Sequence, residues 1–69
     1  MSSIELVRAA AADVEAARIE VELRRQGNEA GLAANQRIEA TQDLAEAEAR
    51  LQRAEVQLGR AKYKYAYES

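Results

Sequence analysis

The chain has 69 residues, with 10 basic against 12 acidic side chains and a net charge of −2. So short a chain makes at most one small domain and is hard pressed to bury a sizeable core alone. It has no Cys and no His, which excludes a disulfide framework and thiolate metal sites, and its interleaved charges lack the basic face of a nucleic-acid binder.

Ala, Glu, Arg, Leu and Gln dominate, Pro is absent and Gly is rare. These are strong helix formers, and such a composition with a period of 3.5 to 3.6 is that of long helices and coiled coils. No apolar run has the length of a transmembrane helix, and no charged n-region with an h-region and cleavage site opens the chain. The expectation is a soluble chain without an export address; the sequence reads no further on localisation.

Ser2 or Ser3 can cap a first helix, predicted over about 3–27. Ser2 and Glu5 have the spacing of a capping box, and the charge of Glu5 suits the positive helix end. An apolar stripe then runs Ile4, Val7, Ala11, Val14, Ala17 or Arg18, and Val21. A second runs Ala9, Ala12, Ala16, Ile19 and Leu23. Apolar residues on two faces point to more than one neighbour. Glu15, Glu22 and Arg25 mark a solvated face, and Glu20 stands four before Arg24 in the favourable order.

The pattern loosens between Gln26 and Gln36. Gly27 and Asn28 can supply left-handed backbone at a helix end, and Gly31 is a second weak point. Asn35 is a candidate cap for a second helix. The predicted turn covers about 27–35 and the second helix about 35–66. Folding near Leu32 and Ala33 sets Val21 opposite Leu44, Val14 opposite Leu51 and Val7 opposite Leu58. Arg18 falls opposite Ala47 as the one misfit, its stem along the seam and its head in water. A competing reading is one continuous helix, because the sevenfold register of Val7, Val14 and Val21 runs through Asn28, Asn35 and Gln42 to Ala49, Val56 and Tyr63 without a break.

The strongest periodic signal lies in the second half. Every seventh residue from Leu44 gives Leu51, Leu58 and Tyr65, and three further on lie Ala47, Ala54 and Ala61. This is a heptad seam in which leucine alternates with alanine, so that a neighbouring helix can approach closely. Ala45, Ala49, Val56 and Tyr63 lie on another side, and Glu46 and Arg50 form a pair four apart. Lys62 and Lys64 suit the negative helix end. Tyr63, Tyr65 and Tyr67 read as an amphipathic belt or an assembly contact.

No His/carboxylate or Cys/His grouping exists to build a nucleophile or a general base, so an enzyme is not expected. Glu20 and Glu22, or Glu46 and Glu48, are two apart and point to different sides of a helix. No cofactor or metal site is expected, since the Glu-x-x-His of four-helix carboxylate sites cannot occur and no glycine loop ends in Lys-Ser/Thr. Without Trp or Phe a lipid-surface helix lacks an anchor.

The run Gly31-Leu32-Ala33-Ala34-Asn35, followed by Ile38, Ala40-Thr41-Gln42, Leu44-Ala45, Ala47-Glu48, Leu51, Ala54, Leu58, Ala61 and Tyr65, resembles the periplasmic helices of TolC-like outer-membrane efflux channels. Ala10 to Arg18 resembles the helix that precedes the hairpin tip in those proteins. The resemblance implies a hairpin that packs beside other copies into a tube, a tip that meets a helical adaptor protein, and a periplasmic location for a chain that is a piece of such a channel. The membrane-crossing strands of those channels have no counterpart in these 69 residues.

The resulting expectation is an all-α antiparallel hairpin that self-assembles into a bundle, tube or filament, with a docking hairpin as the alternative. Val7, Val14, Val21, Leu44, Leu51 and Leu58 are the expected intramolecular seam. Ile19, Leu23, Ala49, Val56 and Tyr63 are the expected contacts between copies. Gly27, Asn28, Gly31, Leu32 and Asn35 are the expected turn or docking tip.

Overall fold

A computed structural model describes residues 2–28 and 33–68. Two helices account for nearly all of them: α1 over Ser3–Asn28, 26 residues, and α2 over Ala34–Glu68, 35 residues. They lie against each other as an antiparallel hairpin with extents of 53 × 15 × 13 Å. The radius of gyration is 15.7 Å, against about 11 Å for a globular chain of this length. The shape is a rod two helices wide, not a continuous single helix.

Both helix starts are built by side chains. At α1 the Ser2 hydroxyl accepts from the Glu5 amide at 3.3 Å, and the Glu5 carboxylate accepts from the Ser2 amide at 3.4 Å. This reciprocal capping box satisfies two donors that have no partner within the helix. At α2 the cap position is Ala33, whose carbonyl accepts from Arg37 at 2.9 Å. The Gln36 side chain reaches back to the Ala33 amide at 3.2 Å. Asn35 therefore does not cap α2, as its sequence position suggested; it lies inside the first turn, and Gln36 does half the work of a capping box from the third helical position.

Gly27 and Asn28 also differ from expectation. Both lie within α1, and Gly27 has no left-handed backbone. The cost of about 1 kcal/mol for a glycine in a helix is small beside the packing of a long hairpin. Gly31 and Leu32 lie outside the described residues. Gly59 sits in uninterrupted helix, with open space where a Cβ would be.

The contact between the helices is narrow. Val14, Val21 and Ala47 are buried, while Val7, Leu44, Leu51 and Leu58 are half-buried. The small residues that share the α1 face are Ser3, Ala10 and Ala17; Ile4, Ala11 and Arg18 are exposed. Either column flanks the valines with heptad spacing, but the second sets Arg18 in the middle of the contact. With Ala17 inside instead, Arg18 is free to face water beside Glu15 at 4.0 Å. The Arg18 misfit disappears.

Among the described residues two ion pairs join the helices. Arg50 meets Glu20 at 2.7 Å, and Arg24 meets Asp43 at 4.0 Å. Large residues, Val14, Val21, Leu44, Leu51 and Leu58, and small ones, Ala10, Ala17, Ala47, Ala54 and Ala61, are all buried or half-buried in the contact, so large and small side chains share it.

Candidate assembly surface

Closing the hairpin uses one face of each helix and leaves the opposite faces uncovered within the chain. On α2 the steps of four and three that build the inner seam recur on the outer side, through Ile38, Gln42, Ala45, Ala49, Gln52, Val56, Gly59 and Tyr63. None of these eight residues is charged. Ile38 is 63% exposed, Val56 50% and Tyr63 65%. Ala49 is half-buried, in a surface hollow shared with Gln52, Arg53 and Val56.

The outer face of α1 is similar but shorter. Ala9, Ala12, Ala16, Ile19 and Leu23 follow the same spacing and are all exposed, Ile19 and Leu23 by more than half. All five residues expected to touch other copies are therefore on outward faces. Gly27 and Asn35 are exposed near the end of the rod where the helices are joined.

Scattered apolar side chains on a surface need no explanation, but contiguous ones mark interaction sites. Helical geometry makes each stripe contiguous, because residues three and four apart are neighbours. Together the stripes expose more large apolar side chains than the inner seam buries.

Charges lie along the edges of the stripes. Beside the α2 stripe one edge carries Glu39, Glu46, Arg53 and Arg60 at steps of seven. The other carries Glu48, Glu55 and Lys62, with Arg25 of α1 in the same surface hollow as Glu48 and Glu55. The inner edge of the hairpin has a ladder of its own. It runs Glu46, Arg50, Glu20, Arg24 and Asp43, with separations of 3.9, 2.7, 4.0 and 4.0 Å. The sequence reading found the two pairs within helices; the links between helices depend on the register and were missed.

At the C-terminal end the Tyr63 and Tyr67 rings stack with centroids 4.5 Å apart and a tilt of 38°. The Tyr67 hydroxyl hydrogen-bonds Tyr63 and holds its phenol above the ordinary value of 10.0, with a smaller contribution from desolvation. Among the described residues no group of three acidic side chains is placed to hold a metal ion, and no helix is long and apolar enough to cross a membrane.

Comparison with protein-family models, curated proteins and solved structures finds no match to this chain.

Proposed function

We propose that the protein is a structural module that associates with copies of itself by side-by-side packing of its hairpins. The observation that carries this reading is the second seam on the back of α2, in which Ile38, Val56 and Tyr63 are exposed at heptad spacing. A helix that needed only one partner would gain nothing from an uncharged outer stripe of that length. The thin inner contact supports the same reading, since a chain of this size gains stability by oligomerising. So does the resemblance to efflux-channel helices, which pack side by side as hairpins.

The test is the sedimentation of Val56→Glu beside the unaltered chain. A carboxylate at this position disrupts an apolar contact between copies but leaves the hairpin seam untouched. Loss of association, with helix content kept, is the expected result. Unchanged association in Val56→Glu, together with loss of a bound helical adaptor in Asn35→Arg, would favour the docking hairpin instead.

A further inference from the structure

We infer that the first partner is a second copy of this chain, joined parallel and in register, α2 against α2, with the two-fold axis running along the pair. This deepens the self-association reading and rests on it. The evidence is that the two edges of the outer α2 stripe carry opposite charges.

Between residues 48 and 60, Arg53 and Arg60 lie on one edge of the stripe and Glu48 and Glu55 on the other. Two surface hollows meet at Ala49 and Gln52, one bordered by the two arginines and the other by the two glutamates. All four charges are exposed. None has an opposite charge three or four residues away in its own helix, unlike Glu20 with Arg24 or Glu46 with Arg50. Arg25 of α1 shares a hollow with Glu48 and Glu55, and Asp13 shares one with Arg60. Among the described residues, however, the ion pairs between the helices are those of Glu20 with Arg50 and Arg24 with Asp43. The four edge charges are left for a partner.

A two-fold axis along the helices brings each edge of the stripe against the opposite edge of the partner. An axis across them brings each edge against itself. Only the first sets these acids against these bases. In a parallel pair an edge residue that precedes the seam faces the partner residue five positions further on. Glu48 then meets the partner's Arg53 and Glu55 the partner's Arg60, and symmetry makes each contact twice. The rest of the edge follows without a like-charge contact: Thr41 falls beside the partner's Glu46, and Lys62 beside the partner's Tyr67. Glu46 keeps its own Arg50. An antiparallel pair centred on the stripe sets Glu48 against the partner's Glu55 twice, and its attractive contacts draw on Glu46, which is already held.

In the parallel pair each stripe residue faces its own copy. Ala45 and Ala49 let the helices cross closely near the middle, and Ile38, Val56 and Tyr63 fill the wider space toward the ends. Gln42 and Gln52 also face themselves. A carboxamide is both donor and acceptor, so each glutamine pair can satisfy itself, and a polar pair within a seam fixes the register.

The experiment combines charge reversal, read by sedimentation equilibrium, with a cross-link. Glu48→Arg and Arg53→Glu each turn two attractive contacts into repulsive ones and weaken the dimer on the order of tenfold. The double variant Glu48→Arg/Arg53→Glu restores both contacts in reversed sense and recovers the affinity. Glu48→Arg also separates the two orientations, since in an antiparallel pair it relieves the clash with Glu55 and strengthens association. The chain has no cysteine, so Gly59→Cys in a glutathione redox buffer reports orientation directly. Parallel chains bring the two introduced sulfurs together and give a disulfide-linked dimer. An antiparallel pair centred on the stripe keeps them roughly 25 Å apart along the helix, beyond the reach of a disulfide. Circular dichroism checks that each variant remains helical. If the unaltered chain associates but Glu48→Arg fails to weaken it, the double variant fails to recover, or Gly59→Cys does not cross-link, the parallel α2 pairing is wrong and self-association stands. If the unaltered chain is a monomer at every concentration, both readings fall together.

Discussion

The guanidinium of Arg50 donates to the carboxylate of Glu20 at 2.7 Å across the hairpin, and this pair links the two helices. Each side chain is also held from its own helix, Arg50 by Glu46 and Glu20 by Arg24. Sliding one helix along the other would lengthen both of the ion-pair links described between them.

A double-mutant cycle on Glu20→Gln and Arg50→Gln measures that link. With about a third of the Glu20 side chain and half of that of Arg50 exposed, the coupling is expected near the upper end for surface pairs, about 0.5–1 kcal/mol. It should shrink as salt is raised through physiological ionic strength. A coupling of zero would show that the pair does not help to hold the helices together.

Ala47 is the most buried residue described, at 1% exposure. Ala47→Leu should cost about 1–3 kcal/mol by overpacking the closest approach of the helices. Ala45→Leu, two residues away on the outer face, should leave folding of the hairpin almost unchanged. Leu51→Ala should cost about 2 kcal/mol, at the lower end for buried leucine because Leu51 is only half-buried. Urea unfolding of the three variants at low protein concentration makes the comparison.

The helix content and the Leu/Ala seam of α2 were legible because a heptad repeat of two residue types has one reading. The Ser2–Glu5 box was equally plain. The partner column in α1 was not, since Ala10 and Ala17 stand directly before Ala11 and Arg18 and both columns flank the same valines. Only packing against α2 decides between them. The cap of α2 was misassigned to Asn35 because side-chain preference outweighed position; an alanine at the cap leaves no signal except the glutamine three residues later.

Gly59→Ala should raise the thermal midpoint of the hairpin, since the added Cβ meets nothing within the chain and helix propensity improves by about 0.5–1 kcal/mol. Thermal unfolding followed by circular dichroism gives the shift. A fall in midpoint would show that the backbone at Gly59 is approached closely by something outside the chain.

The raised pKa of Tyr63 has a definite sign. Because the folded chain favours the neutral phenol, the stabilisation is fully present below the ordinary value of 10.0 and is lost as pH rises through the higher folded value. Phenolate absorbance should therefore show one tyrosine titrating later than it does in the unfolded chain. In Tyr67→Phe that late component should move back toward the ordinary value.

Sedimentation of the unaltered chain over a wide range of concentration bears most directly on the central claim. Self-association predicts a mass that rises above the 7.6 kDa of one chain as concentration increases. A constant mass of one chain, with the slow sedimentation of a rod 53 Å long, would contradict it.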